Sequence, residues 1–370
     1  MREGDISPWT RFSRTAAMLL VLLLAACAAR PSAMVLQPVQ GAQPTQDVSI
    51  LVATNRAQAN DGGYAPVRAT QMTFERYTIS VPPRRNAADL DFATGQPDLT
   101  EHYAVVSRER LDEAGFETAV ERALAIDGAS GIYVHGYNQN FQESLFRLAQ
   151  VTADSGLDGP MILFSWPSEA SLLGYMADRD ASMASRSDLV GLIERLAALP
   201  QIRQINVAGH SMGSFLVMEA VLQLKLENRA RALGKLGIIL AAPDIDTDVF
   251  ASQLDAIGPR RPPILVLVSK NDRALAASSV LGSDRPRVGM LDVDDQFLRD
   301  LVERFGLSVI DISTVQAPDA FGHEGFATFA AFASQIASVE ASRSTPLSDV
   351  GLYVVDATTS SLATPVLLLQ

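Results

Sequence analysis

Between Val48 and Ser313 the chain switches repeatedly between two hydrophobic periods, and this switching limits its possible folds more than any other feature. Eight runs are rich in β-forming residues: Val48–Arg56, Arg76–Pro82, Gly131–Asn138, Pro160–Ser168, Ile205–Ser211, Leu236–Asp244, Pro263–Asp272 and Leu307–Ser313. Most are nearly continuous Val/Ile/Leu, as strands buried on both faces require. Helical patterns separate them. Phe141, Leu145 and Leu148 fall on one face of one such stretch, and Leu189, Leu192, Ile193 and Leu196 on one face of another. The expected fold class is therefore α/β: a mainly parallel, eight-stranded sheet with helices on both faces. In such a sheet, functional groups gather at the carboxyl ends of the strands. A chain that is 48% hydrophobic and 19% charged can build the core this needs.

The fifth run ends in "AGHSMGS" and passes directly into an apolar helical pattern with Phe215, Met218 and Leu222 on one face, expected to stop near Gly234. Ser211 thus sits at a sharp strand-to-helix turn, with Gly209 and Gly213 two residues to either side. Such a turn strains the serine backbone and leaves no room for side chains at the flanking positions, hence G-x-S-x-G. It lifts the hydroxyl above the sheet at a helix N-terminus, where negative charge is favoured.

A serine nucleophile needs a base, and the chain has four histidines. His210 adjoins the serine, with its side chain expected to point away. His135 ends the third run, and His102 reads as a surface residue. His323, in "DAFGHEGFA", follows the last run and completes the chain order Ser, Asp, His, so it is the expected base. The acid lies at the end of the sixth or seventh run: Asp244 and Asp246 in "APDID", or Asp272 in "SKNDRAL". Asp272 is favoured. Two backbone donors for an oxyanion are expected from the N–H groups of Met212, just after the serine, and Tyr137, in the "HGYN" loop where Gly136 permits close approach.

Together these pieces resemble an α/β-hydrolase-fold serine hydrolase, and more narrowly a bacterial esterase-like family catalogued as domain of unknown function 900. The resemblance rests on "VATNR" (Val52–Arg56), "VHGYNQNF" (Val134–Phe141), "FSWPS" (Phe164–Ser168), "AGHSMGS" (Ala208–Ser214), "APDID" (Ala242–Asp246), "SKNDRAL" (Ser269–Leu275) and "GHEGF" (Gly322–Phe326). It implies the α/β-hydrolase fold, a Ser211–Asp272–His323 triad and hydrolysis of a small-molecule ester through an acyl-enzyme. It implies no physiological substrate and gives "VATNR" no catalytic role. Thioester, amide or acyl-transfer chemistry would use the same triad, and a non-catalytic binding scaffold is the alternative from another class. No metal or cofactor is expected, because one cysteine and scattered histidines offer no ligand cluster. A formal net charge of −12 with no basic run argues against nucleic-acid binding.

The first residues read as a targeting segment. Arg2, Arg11 and Arg14 precede the apolar stretch Ala16–Leu24, which is far short of the ~20 residues a membrane-spanning helix needs. It leads into "LAAC", with Cys27 the only cysteine, and so resembles a bacterial lipoprotein signal. The expected organisation is a signal peptide over 1–26, a lipid anchor at Cys27 with a flexible tether over 27–46, a catalytic domain over 47–340, and a tail of unassigned role over 341–370. Ala28 stands where an aspartate would signal inner-membrane retention, so the expected location is the outer membrane, facing the periplasm. Between the fourth run and its helix, Leu172, Leu173, Tyr175 and Met176 form an apolar cluster expected to wall a short substrate pocket.

Overall fold

The computed structural model describes residues 30–84, 90–93, 95–156, 158–281, 285–315, 317, 319 and 322–328, and the backbone of 351–356 and 361–366. Ala33–Gln370 form one unit; Met1–Ser32 form another, of which only Arg30–Ser32 are described. Cys27 and the signal segment lie outside the described residues. Among those described, no helix is long and apolar enough to cross a membrane.

One mixed sheet organises the larger unit. Its strands are β1 (Asp47–Gln58), β2 (Tyr64–Ser80), β3 (Ala104–Leu111), β4 (Ala129–Val134), β5 (Met161–Ser165), β6 (Gln204–His210), β7 (Leu236–Ala241), β8 (Leu265–Val268), β9 (Ser308–Asp311), β10 (Gly351–Asp356) and β11 (Ser361–Val366). They lie in the order β11-β10-β9-β8-β7-β6-β4-β5-β1-β2-β3. Pairing is parallel from β10 through to β1 and antiparallel at β1–β2, β2–β3 and β10–β11. The expected class is therefore found, but the strand count is corrected from eight to eleven among the described residues. β3 is an edge strand in which Arg108, Glu109 and Arg110 follow one another, so it lacks the apolar run of a central strand. β10 and β11 come from the tail that carried no assignment.

Helices cover both faces: α1 (Glu113–Ala123), α2 (Phe141–Ser155), α3 (Tyr175–Ala184), α4 (Arg186–Ala198), α5 (Met212–Leu226), α6 (Ala230–Leu233), α7 (Thr247–Ile257), α8 (Arg273–Leu281) and α9 (Gln296–Phe305). The apolar stripes read from the sequence are the buried ones. Leu189, Leu192, Ile193 and Leu196 of α4 pack with Phe215 and Met218 of α5 on one face of the sheet. Phe141, Leu145 and Leu148 of α2 pack on the other. The helix after the serine ends at Leu226, not near Gly234; Asn228 adopts a left-handed conformation that breaks it, and α6 follows.

The expected tether is also corrected. Ala33–Leu36 form a short 3₁₀ helix whose Leu36 is fully buried against the α2 face. Val39 N–H donates to the Val105 carbonyl and Val81 N–H to that of Gln46. The segment from Ala33 is thus part of the folded unit.

Chain order places the site. From β4 the chain moves outward to β5, then returns across β4 to form β6 on its other side. The loops after β4 and β6 therefore leave in opposite directions at adjacent strand ends, with α2 on one face and α5 on the other. A crevice at such a reversal is where open α/β sheets hold ligands.

Candidate active site

Ser211 lies at the tip of β6, as the N-cap of α5, with φ 53° and ψ −121°. A non-glycine residue there is strained by about 1–3 kcal/mol. The surroundings impose the conformation: Ser211 N–H donates to Ala241 O at 2.9 Å, and its carbonyl accepts from Ser214 N–H at 3.0 Å and Asp244 N–H at 3.2 Å. A Cβ on Gly209 would meet Ser214 Cα at 2.6 Å, and one on Gly213 would meet Val134 O at 2.3 Å. The first glycine is needed for the turn itself, the second for the approach of α5 to β4. Met212 N–H is the first of α5 and has no acceptor within the helix.

The loop beyond β9 brings His323 to Asp272, in the turn between β8 and α8. His323 Nδ1 lies 2.6 Å from Asp272 Oδ2. The other carboxylate oxygen, Oδ1, accepts from Leu275 N–H at 2.9 Å and so caps α8. A carboxylate fixed at both oxygens sets the imidazole's tautomer and leaves Nε2 for other chemistry. Burial opposes charge on His323, but the hydrogen bond and charge of Asp272, with Asp319 and Asp244 adding, outweigh it and raise the imidazole above its ordinary value.

The other aspartates do different work. Asp246 caps α7 through Asp248 and Val249 N–H. Asp244 is buried, paired with Arg287 at 3.2 Å and bonded by the hydroxyls of Tyr175 (3.0 Å) and Ser278 (2.7 Å). His102 bonds within the turn at Asp98. His210 is buried beside His323, ring centroids 4.6 Å apart, with Nε2 3.3 Å from the His323 carbonyl. It supports the loop that carries His323, a role its position beside the serine did not suggest. Burial, and then the neighbouring His323, hold its imidazole well below the ordinary value. His135 is buried too, stacked on Trp166, and burial pushes it down to about 3.

Ser211 and His323 border one cavity of about 320 Å³, with Tyr137, Leu172, Tyr175 and Leu275 in its wall. Of the expected apolar cluster, only Leu172 and Tyr175 reach the cavity; Leu173 is 98% and Met176 64% exposed. Tyr137 borders it as well, its hydroxyl donating to Leu172 O at 2.5 Å. In the same loop, Asn138, Gln139 and Asn140 N–H donate to Asp178, Ser168 and Glu143, which excludes them as donors to a ligand. Asp178 escaped notice in the sequence. It is buried, and its carboxylate also accepts from Ser168 Oγ and Glu169 N–H, joining the loops after β4 and β5. Among the described residues no group of His, Cys, Asp and Glu could hold a metal ion.

No curated protein matches the chain in sequence. Among solved structures, an esterase from Pyrobaculum calidifontis superposes with a TM-score of 0.32 at 13% identity, over 90% of this chain and 94% of that one. Carboxyl esterase 2 from the mycorrhizal fungus Tuber melanosporum gives 0.35 at 13% identity, over 90% and 98%. Superpositions this loose bear no weight. The family match does: residues 113–343, more than half of the chain, fit the model described as "Alpha/beta hydrolase of unknown function (DUF900)". With the sheet order and the strained serine turn, this match shows that the chain belongs to that family of α/β hydrolases.

Proposed function

We propose that the protein is a serine hydrolase that cleaves carboxylic esters of short to medium acyl chain. The observation that supports this most is the pairing of His323 with a doubly anchored Asp272 on the cavity that also holds the strained Ser211. As the Ser211 oxygen attacks the ester carbonyl, His323 Nε2 takes its proton. The N–H groups of Met212 and Tyr137 hold the oxyanion. The tetrahedral intermediate collapses, and the alcohol leaves with the proton from His323. Water, deprotonated by the same imidazole, then releases the acid and restores the serine.

The cavity beside Ser211 supports the reading of a short to medium acyl chain. Leu172, Tyr175 and Leu275 offer apolar surface in its wall, and each methylene buried there is worth about 0.8 kcal/mol. Across p-nitrophenyl esters from acetate to palmitate, kcat/KM is expected to peak at short to medium chains. A maximum at palmitate with activation at a lipid–water interface would contradict this.

Lipidation of Cys27 and an outer-membrane location facing the periplasm complete the proposal. Cys27→Ala should move the protein from the membrane to the soluble fraction. A variant that stays with the membranes would refute the anchor, and wild type that sediments only with inner membranes would refute the sorting.

A further inference from the structure

The "VATNR" segment is unexplained by the triad, and Arg56 lies N-terminal to the residues the family match covers. Arg56 is 2% exposed, and the three hydrogen bonds of its guanidinium go to neutral acceptors. Nε donates to Ser165 Oγ at 3.0 Å, Nη1 to Ser168 O at 3.1 Å and Nη2 to Gln139 O at 3.0 Å. Thr54, two residues earlier, donates to Ser165 O at 2.7 Å and accepts from Arg56 N–H. One buried cation thus ties the end of β5 and the loop after it to the loop after β4.

That loop contains the peptide between Gly136 and Tyr137. His135 Nδ1 stands 2.9 Å from the Gly136 carbonyl, and its Nε2 stands 3.1 Å from the Trp166 carbonyl and 3.4 Å from Ser165 Oγ. Trp166 Nε1–H donates to His135 O at 2.8 Å and fixes the preceding peptide. In a trans peptide the carbonyl and the next N–H point in opposite directions. A Gly136 carbonyl drawn back onto His135 therefore turns the Tyr137 N–H the other way.

We propose that Arg56 is a positioning residue for ester hydrolysis: anchored on Ser165 and Ser168 at one end and holding the Gln139 carbonyl at the other, it fixes the loop after β4 so that the Tyr137 N–H is set as an oxyanion donor. This rests on the serine-hydrolase reading given above. Burial draws the guanidinium down to about 9, against Asp178, Glu143 and Glu169, so it is charged at neutral pH. Its charge also adds to the burial that keeps His135 neutral.

The test compares wild type with Arg56→Gln in steady-state ester hydrolysis and in binding of two ketones. A trifluoromethyl ketone adds the Ser211 oxygen at its carbonyl carbon, passes the serine proton to His323 and leaves an oxyanion. The matching methyl ketone reports ground-state binding. Losing one oxyanion donor outright costs about 10²–10³-fold in kcat, so misplacing it should cost about 10–10²-fold. KM should stay within about threefold, trifluoromethyl ketone affinity should fall in step with kcat, and methyl ketone affinity should hold. A folded Arg56→Gln with wild-type kcat, or a loss spread equally over KM and both ketones, would overturn the proposal. Should Arg56→Gln not fold, Ser165→Ala breaks the same chain of bonds and must give the same signature. A wild type that neither turns over esters nor binds the trifluoromethyl ketone would bring down the serine-hydrolase reading itself, whereas an active wild type matched by its variants sinks only the role of Arg56.

Discussion

Ser211→Ala is expected to lower kcat by about 10⁴–10⁶-fold, equivalent to about 5–8 kcal/mol of transition-state stabilisation. Without the oxygen no acyl-enzyme forms, and what is left comes from binding and from the backbone donors alone. The change should leave the fold intact. Alanine keeps the Cβ that defines the backbone strain at φ 53°, and the bonds that hold the turn come from the backbone of residues 211, 214, 241 and 244. Kinetics on the purified variant, with its melting temperature alongside, check both statements. A variant within tenfold of wild type would remove Ser211 from the chemistry.

The second large effect concerns Asp272. Asp272→Asn should cost about 10⁴-fold in kcat, because an amide facing His323 Nδ1 favours the wrong tautomer. Asp246→Asn should cost far less, since that carboxylate caps α7 and has no bond to the histidine. The reverse ranking would move the acid to the end of β7. The pH profile carries the same logic. His323 must be neutral to accept a proton, so kcat/KM should rise with pH. The pairing with Asp272 raises the imidazole, so the midpoint should lie above the ordinary histidine value of about 6.5. In Asp272→Asn the raising partner is gone and burial remains, so the midpoint of any residual activity should move down. A wild-type profile flat from pH 5 to 8 would exclude His323 as the base.

What could be read in the sequence follows from the range of the interactions involved. The parallel strands announce themselves because burial on both faces demands apolar runs, and the serine turn because its steric demands fall within five residues. The choice among Asp244, Asp246 and Asp272 was harder. It depends on which strand end faces the loop after β9, and this is set by sheet order. β3 was missed because three consecutive charged residues interrupt its apolar pattern, and the docking of Leu36 because a single apolar anchor has no period. Arg56 is the extreme case. Its partners Ser165 and Ser168 lie 109 and 112 residues away, so nothing local distinguishes it from a surface arginine at a strand end. Asp178 hides for the same reason, serving loops 40 and 10 residues distant.

Active-site labelling with a fluorophosphonate, followed by peptide mapping, tests the central claim most directly. The reagent phosphonylates a serine only where base and oxyanion donors activate it. Wild type should take up one equivalent, on Ser211, and Ser211→Ala should take up none. Label found on another serine, or a folded wild type that remains unlabelled, would contradict the account.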